Sequence, residues 1–423
     1  MKILSLTAGA ANMYCGSCLR DNALAAELKR QGHDVVLLPM YTPTLTDERN
    51  VSEERVFFGG IGIYLQQKWP WVAKLPGFVD KLWDSKWALR MAAKSTIAVD
   101  PQMLGELTVS VLRGENGKQR RELQKLLEWL KTEPAPDVVN LPYTLLIGLA
   151  GPLRRALGKP VTCALQGEDL FLEGLREPYR TQSLELIREN LKHVDAFLAV
   201  SDYYARFMSD YLGIPQDKMR VVPIGIKPDE FEERPKPRSD VFTIGYFARV
   251  DPAKGLHVLV DAYRRVREQV PARLLAAGYL LPEHRSYLAG ISAPGFEYRG
   301  VLDRQQKIAF LRELDVLSVP AVYAEPKGLF LLEAMASGTP VVQPRHGAFP
   351  ELLERTGGGL LVDPHSPEAL AEGLLRIWRE PEAAARLGRA GAAGVRQHYT
   401  VAHMARSAVE VFEALRAQPV ASR

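Results

Sequence analysis

Apolar residues in this chain fall into short unbroken runs, separated by longer stretches in which they recur every three or four positions. Residues 3–7 form one such run. After a loop holding Gly9 and Gly16, residues 19–30 place Leu24 and Leu28 on one face, which predicts a strand followed by a helix. Gly32 stops that helix, and residues 35–40 are the next strand. The rhythm continues with strand 138–141, helix 146–157, strand 161–165, helix 181–193, strand 196–200 and helix 202–211. It restarts with strand 242–246, helix 256–269, strand 273–277, helix 303–314, strand 316–320, helix 327–337 and strand 340–343. Alternation of this kind specifies an α/β fold around a parallel sheet.

The restart follows residues 234–240, a charged, proline-rich stretch without apolar residues that suits a linker. At 423 residues the chain also exceeds what one hydrophobic core supports. The expected organisation is therefore an N-terminal domain over 1–233, the linker 234–240 and a second domain over 241–404. A C-terminal helix over 405–423 is expected to pack back on the first domain. Two such domains would face a central cleft, the usual ligand site of this architecture. Residues 57–95 break the rhythm and carry Trp69, Trp71, Trp83 and Trp87, with Val79, Leu82, Trp83 and Trp87 on one helical face among lysines. This stretch reads first as a packed insertion, then as an acceptor-binding lid, and last as a contact for a membrane surface.

Composition narrows the class. The chain is 47% hydrophobic and 25% charged, which excludes a disordered protein or a fibre. Its 54 basic against 50 acidic residues are too balanced to argue for nucleic acid. No stretch offers the roughly 20 unbroken apolar residues of a membrane span. The N-terminus enters a strand pattern directly, not a signal peptide. Three cysteines, Cys15, Cys18 and Cys163, fit a reducing cytoplasm better than a disulfide framework. Cys15 and Cys18 have the spacing of a metal or redox pair, but no second ligand pair lies nearby, so small residues in a tight turn are the expectation.

The most informative segment is DVLSVPAVYAEPKGLFLLEAMASGTPVV, which places Glu325 and Glu333 with seven residues between them. Gly328 allows close backbone approach, and the amides of Gly328, Leu329 and Phe330 open a helix, a place that attracts anions. This segment resembles family 4 of the glycosyltransferases, whose Glu-x7-Glu motif precedes a Gly-Thr-Pro-Val-Val strand. Gly328, Leu329, Leu332, Glu333, Ala334, Met335, Ala336, Gly338, Pro340 and Val341 match it, and Gly347, Pro350 and Glu351 match the Gly-Gly-x-Pro-Glu that follows. A second segment, IGYFARVDPAKGLHVLVDAY, resembles the family's Gly-Arg-Leu-x-x-x-Lys-Gly. More loosely, Gly16 answers to the glycine loop that the family sets beside the donor phosphates and acceptor.

The resemblance implies a GT-B fold of two Rossmann-like α/β/α domains and a retaining hexosyltransferase that uses a UDP-, GDP- or ADP-sugar without an obligatory metal. No Asp-x-Asp motif occurs in the chain. Arg249 and Lys254 would neutralise the donor diphosphate and Glu325 would hold sugar hydroxyls; these are the expected catalytic residues. Glu333 would hold the ribose, and Gly16, Gln166, Gly328, Leu329, Phe330 and Val301 would line the donor. Arg20, Asp21 and Asp169 are candidates for the acceptor, whether carbohydrate, lipid or small molecule; Arg20 and Asp21 could instead cap and solvate their helix. Gln166 stands where many relatives carry histidine, so no group can titrate there. Two rivals follow from that replacement and from the architecture, a nucleotide-sugar-binding protein without turnover and a nucleotide-sugar epimerase.

Overall fold

In the computed structural model, residues 1–9, 16–58, 101–231 and 239–417 are described. The Trp-rich insertion, most of the linker and Cys15 lie outside them. Six strands build the first sheet: β1 (Lys2–Thr7), β2 (Asp34–Pro39), β3 (Val138–Leu141), β4 (Val161–Leu165), β5 (Ala196–Ala199) and β6 (Met219–Val221). Every pair is parallel, in the order β2-β1-β3-β4-β5-β6. The second sheet is also six-stranded and parallel. Its strands are β7 (Phe242–Phe247), β8 (Ala272–Ala277), β9 (Phe296–Tyr298), β10 (Val316–Leu317), β11 (Val341–Pro344) and β12 (Gly359–Val362), in the order β12-β11-β10-β7-β8-β9.

Parallel strands need helical crossovers, and those helices cover the sheet faces, so the strands are buried on both sides and nearly free of charge. The described residues within 1–200, 204–222 and 405–417 group into one compact unit, and those within 201–203 and 223–404 into the other. In the first unit the strand order reverses between β1 and β3, and in the second between β7 and β10. Loops leaving the carboxyl ends of such strand pairs are where open α/β sheets bind ligands. Among the described residues, no helix is long and apolar enough to cross a membrane.

One device recurs in both sheets. Asp137, Asp195 and Asp315 stand just before β3, β5 and β10, and their carboxylates accept the backbone N–H of Lys2, Val161 and Thr243 at 2.8, 2.8 and 2.7 Å. Each aspartate also returns its own N–H to the carbonyl of that same residue. The pair of bonds pins the register of neighbouring strands where the ladder begins.

Two sequence expectations shift. The helix expected over 146–157 is a 3-10 turn, Thr144–Leu149, followed by a helix, Ala150–Leu157. Pro152 lacks the N–H a continuous helix would need there, and it is tolerated because it falls in the first turn of the shorter helix. The strand expected over 316–320 contracts to Val316–Leu317, since the chain ahead of Pro320 turns out of the sheet to build the site loop.

Replacing Asp315 tests the register device. Asp315→Ala strands the buried Thr243 N–H and should cost ~1–3 kcal/mol, whereas Asp315→Asn keeps an acceptor and should cost less. Urea unfolding of the two variants checks this; equal losses would show that the carboxylate's acceptor role is not what matters.

Candidate functional site

In the second unit, the loops after β7 and β10 carry most of the expected donor residues. After β7 the chain makes a 3-10 turn, Pro252–Lys254, opened by Asp251, whose carboxylate accepts the Ala253 N–H at 2.9 Å. Gly255 closes the turn at φ +75, where a side chain would collide with the Pro320 carbonyl 1.9 Å away. This close approach brings the loops of β7 and β10 together. Lys254 reaches across it to Glu325, ion-paired with Oε2, and to the Tyr323 hydroxyl at 2.5 Å. Tyr323 donates to the same carboxylate oxygen at 2.5 Å. The ammonium also lies 5.0 Å from the Tyr323 ring centre and 5.6 Å from that of Phe330. Arg249, on the same loop, is half-exposed and pairs with Asp251 at 3.0 Å.

Glu325 is buried, and burial pushes its pKa up; the charge and hydrogen bond of Lys254, the Tyr323 hydroxyl and the charge of Lys327 outweigh this and hold it at about 2. Its backbone is gripped too, with its carbonyl accepting the Ala348 N–H at 2.8 Å. Gly347 leaves no room for a side chain, which would stand 2.6 Å from the Glu325 backbone. Gly347 of the matched Gly-x-x-Pro-Glu stretch thus holds the loop of the first motif glutamate. Glu351, from the same stretch, accepts the N–H of Asp202 and Tyr203 at 3.1 and 2.9 Å, and Ser201 donates to the Pro326 carbonyl at 2.9 Å. These contacts tie residues 201–203 into the second unit.

Gly328, at φ +67, caps the helix Leu329–Ala336, which is shorter at its start than the expected 327–337. The first amides of a helix have no partner within it and carry the positive end of its dipole. Lys254, Arg249 and Lys327 add cationic charge on the neighbouring loops. The helix is apolar all round, apart from Glu333. That carboxylate is 6% exposed and its Oε1 lies 2.6 Å from the ammonium of Lys307, itself 4% exposed. Lys307 comes from the helix Arg304–Glu313. Val301 is 48% exposed, in the loop that leads to the same helix.

The first unit gathers a different set at its own switch point. Gly16 opens the helix Gly16–Arg30. Arg20 and Asp21 are buried and paired at 3.2 Å, which overturns the solvated helix-end reading for them. Gln166, just past β4, donates to Asp21 Oδ1 at 3.2 Å and to the Pro142 carbonyl at 2.8 Å. Burial raises the pKa of Asp21 more than Arg20 and Gln166 lower it. Among the described residues, Arg20 Nε and Nη2, Asp21 Oδ2 and Gln166 Oε1 are buried without a hydrogen-bond partner. Such unused donors and acceptors call for a polar ligand group or ordered water. Asp169 instead accepts from the Tyr204 hydroxyl at 2.7 Å. Cys18 is buried within the first helix, not in a tight turn.

Sequence reasoning missed Tyr323, Lys307 and Glu168. Glu168 is buried and accepts from Thr144 N and Oγ1 and from Gln166 N, so it fixes the turn that presents Gln166. A signal for Lys307 was present: with Phe310 and Leu311 it completes an i, i+3, i+4 stripe that is otherwise apolar, and a lysine there demands a partner. Nothing local marked Tyr323 or Glu168.

The Glu325 carboxyl has a folded pKa of about 2 against an ordinary value of 4.5. Its ionised pair therefore stabilises the fold above the ordinary value and ceases to do so as pH falls through the folded one. The stability gap between wild type and Glu325→Gln should be full near neutrality and narrow from about pH 5 downwards. Urea midpoints measured down to about pH 3 check this; a gap independent of pH would deny the charge pair its role.

Comparison with known proteins bears on the family and the fold. A family model for Glycosyltransferase Family 4 matches residues 105–230, and one for Glycosyl transferases group 1 matches residues 228–393. The putative colanic acid biosynthesis glycosyltransferase WcaL of Escherichia coli is 30% identical over 51% of this chain and 54% of its own length. The phosphatidyl-myo-inositol mannosyltransferase of Mycobacterium leprae is 33% identical over 48% of this chain and 54% of its own. The chain thus spans about half the length of these curated relatives. Among solved structures, Anabaena HepE in complex with UDP and glucose superposes with a TM-score of 0.67 at 16% identity, over 98% of this chain and 100% of that one. With two parallel-sheet α/β domains and both family patterns end to end, the chain belongs to family 4 of the glycosyltransferases and has the GT-B fold.

Proposed function

We propose that this protein is a retaining hexosyltransferase that moves a sugar from a nucleoside-diphosphate sugar to an acceptor hydroxyl without an obligatory metal. The observation that carries the reading is the Lys254–Tyr323–Glu325 cluster beside the N-terminus of the helix Leu329–Ala336. A diphosphate leaving group gains negative charge as the glycosidic bond breaks. Lys254, Arg249 and the first amides of that helix supply fixed positive charge, which stabilises the transition state more than the ground state. Glu325, held ionised, accepts hydrogen bonds from sugar hydroxyls, and Glu333 does the same for the ribose. Retention without a protein base is consistent with a front-face displacement in which a donor phosphate oxygen takes the acceptor proton. Gln166 offers no titratable group to such a step.

Similar proteins support the donor class: HepE was solved with UDP and glucose, and the mycobacterial protein is a phosphatidyl-myo-inositol mannosyltransferase. For the acceptor, the buried Arg20–Asp21–Gln166 cluster favours a hydroxylated, polar compound. The low cysteine content favours a cytoplasmic setting.

Incubating the protein with UDP-, GDP- and ADP-sugars and a mixed acceptor pool tests the reading. Release of nucleoside diphosphate with transfer or hydrolysis of the sugar supports it. Binding without turnover would make the chain a nucleotide-sugar-binding module, and an altered free nucleotide sugar would make it an epimerase.

Lys254→Ala and Arg249→Ala should each lower turnover by a factor corresponding to ~3–4 kcal/mol. Near-wild-type rates in both would remove the diphosphate assignment. Activity should persist in excess chelator, and a strict need for manganese or magnesium in the chemical step would contradict the mechanism. Exchanging residues around Trp69 to Trp87 should change the acceptor profile and leave nucleotide affinity intact; equal loss of both would indicate a structural role.

A further inference from the structure

A lysine that is 4% exposed on a helix whose other inward residues are Phe310 and Leu311 needs an explanation. Lysine loses its hydration on burial and survives there when it is paired. The partner of Lys307 is the second motif glutamate, Glu333, with the ammonium 2.6 Å from Oε1. The other carboxylate oxygen, Oε2, meets no donor among the described residues and yet is not among the sealed, orphaned atoms. Glu333 is therefore clamped on one oxygen and open on the other. Each motif glutamate has its own lysine: Lys254 from the loop after β7 holds Glu325, and Lys307 from the helix before β10 holds Glu333.

From this geometry we infer that Lys307 is a positioning residue that fixes Glu333 so that Oε2 faces the ribose diol of the donor, making the site selective for ribonucleotides. The inference rests on the donor-site reading above. The helix that carries Glu333 offers no other polar side chain to orient it. A carboxylate at this depth without that partner would swing toward water and cease to be a fixed acceptor. With the ammonium in place, the carboxylate is held in one position and the ligand hydroxyl gains a charge-assisted hydrogen bond. Lys307 does not touch the ligand in this arrangement; it acts through Glu333.

Calorimetric titration of the full chain with UDP and GDP, each beside its 2′-deoxy form, tests the inference. Wild type should prefer the ribonucleotide. Lys307→Met should weaken ribonucleotide binding roughly ten- to a hundredfold and the 2′-deoxy form, which keeps only the 3′-hydroxyl, clearly less, so that the preference shrinks. Lys307→Arg should restore most of it. The double variant Lys307→Met/Glu333→Gln removes both charges of this pair, so it remains measurable even where the single methionine variant does not fold. Its ribose preference should equal that of Glu333→Gln alone, since the two changes remove one interaction. Equal weakening of both nucleotide forms by Lys307→Met, or a double variant that differs from Glu333→Gln in ribose preference, would overturn the positioning role. Wild type that binds neither UDP nor GDP would overturn the donor-site reading itself.

Discussion

Two carboxylates on an apolar segment set the demands that the rest of the second domain meets. The stretch from Glu325 to Ala336 is almost wholly hydrophobic, because its helix packs into the domain core. Taking a carboxylate out of water costs several kcal/mol unless charge and hydrogen bonds replace the lost hydration. Neither glutamate finds its ion-pair partner on its own element. Lys254 arrives from the loop after β7 and Lys307 from the helix before β10, so both counter-charges depend on the parallel sheet being assembled. The site and the fold are in this sense one structure.

Several backbone features serve the same end. The left-handed glycines Gly255 and Gly347 lie where one loop's backbone presses on another's, so that Lys254 and Glu325 meet without intervening side chains. Gly328 turns the chain into the helix whose first amides remain available to an anion. Tyr323 completes the Lys254–Glu325 contact and lets one carboxylate oxygen be satisfied twice. The result is a preorganised cluster of paired charges beside the N-terminus of a helix.

In the first domain the polar residues at the switch point are arranged differently. Among the described residues, Arg20, Asp21 and Gln166 are buried and only partly satisfied, a costly state that proteins keep where a ligand or ordered water completes the network. Gln166 is braced by Glu168, Asp21 and the Pro142 carbonyl. A fixed amide there can recognise a hydroxyl but cannot exchange a proton.

Much of this was legible in the sequence. Alternating apolar runs located most of the strands within a few residues, because burial of a parallel sheet on both faces leaves an unbroken apolar signature, but helices such as Pro101–Leu112, Arg120–Thr132, Pro367–Arg379 and Pro381–His398 were not foreseen. The glycines, Arg249, Lys254 and the two motif glutamates were legible too, since local spacing and family resemblance both depend on neighbours along the chain. What the sequence could not express was pairing across elements. That Lys307 meets Glu333, that Tyr323 bridges Lys254 and Glu325, and that Arg20 and Asp21 are buried beside Gln166 all follow from which loops the strand order brings together. Side-chain partners far apart in the chain are chosen by tertiary packing, and a one-dimensional pattern carries no record of that choice.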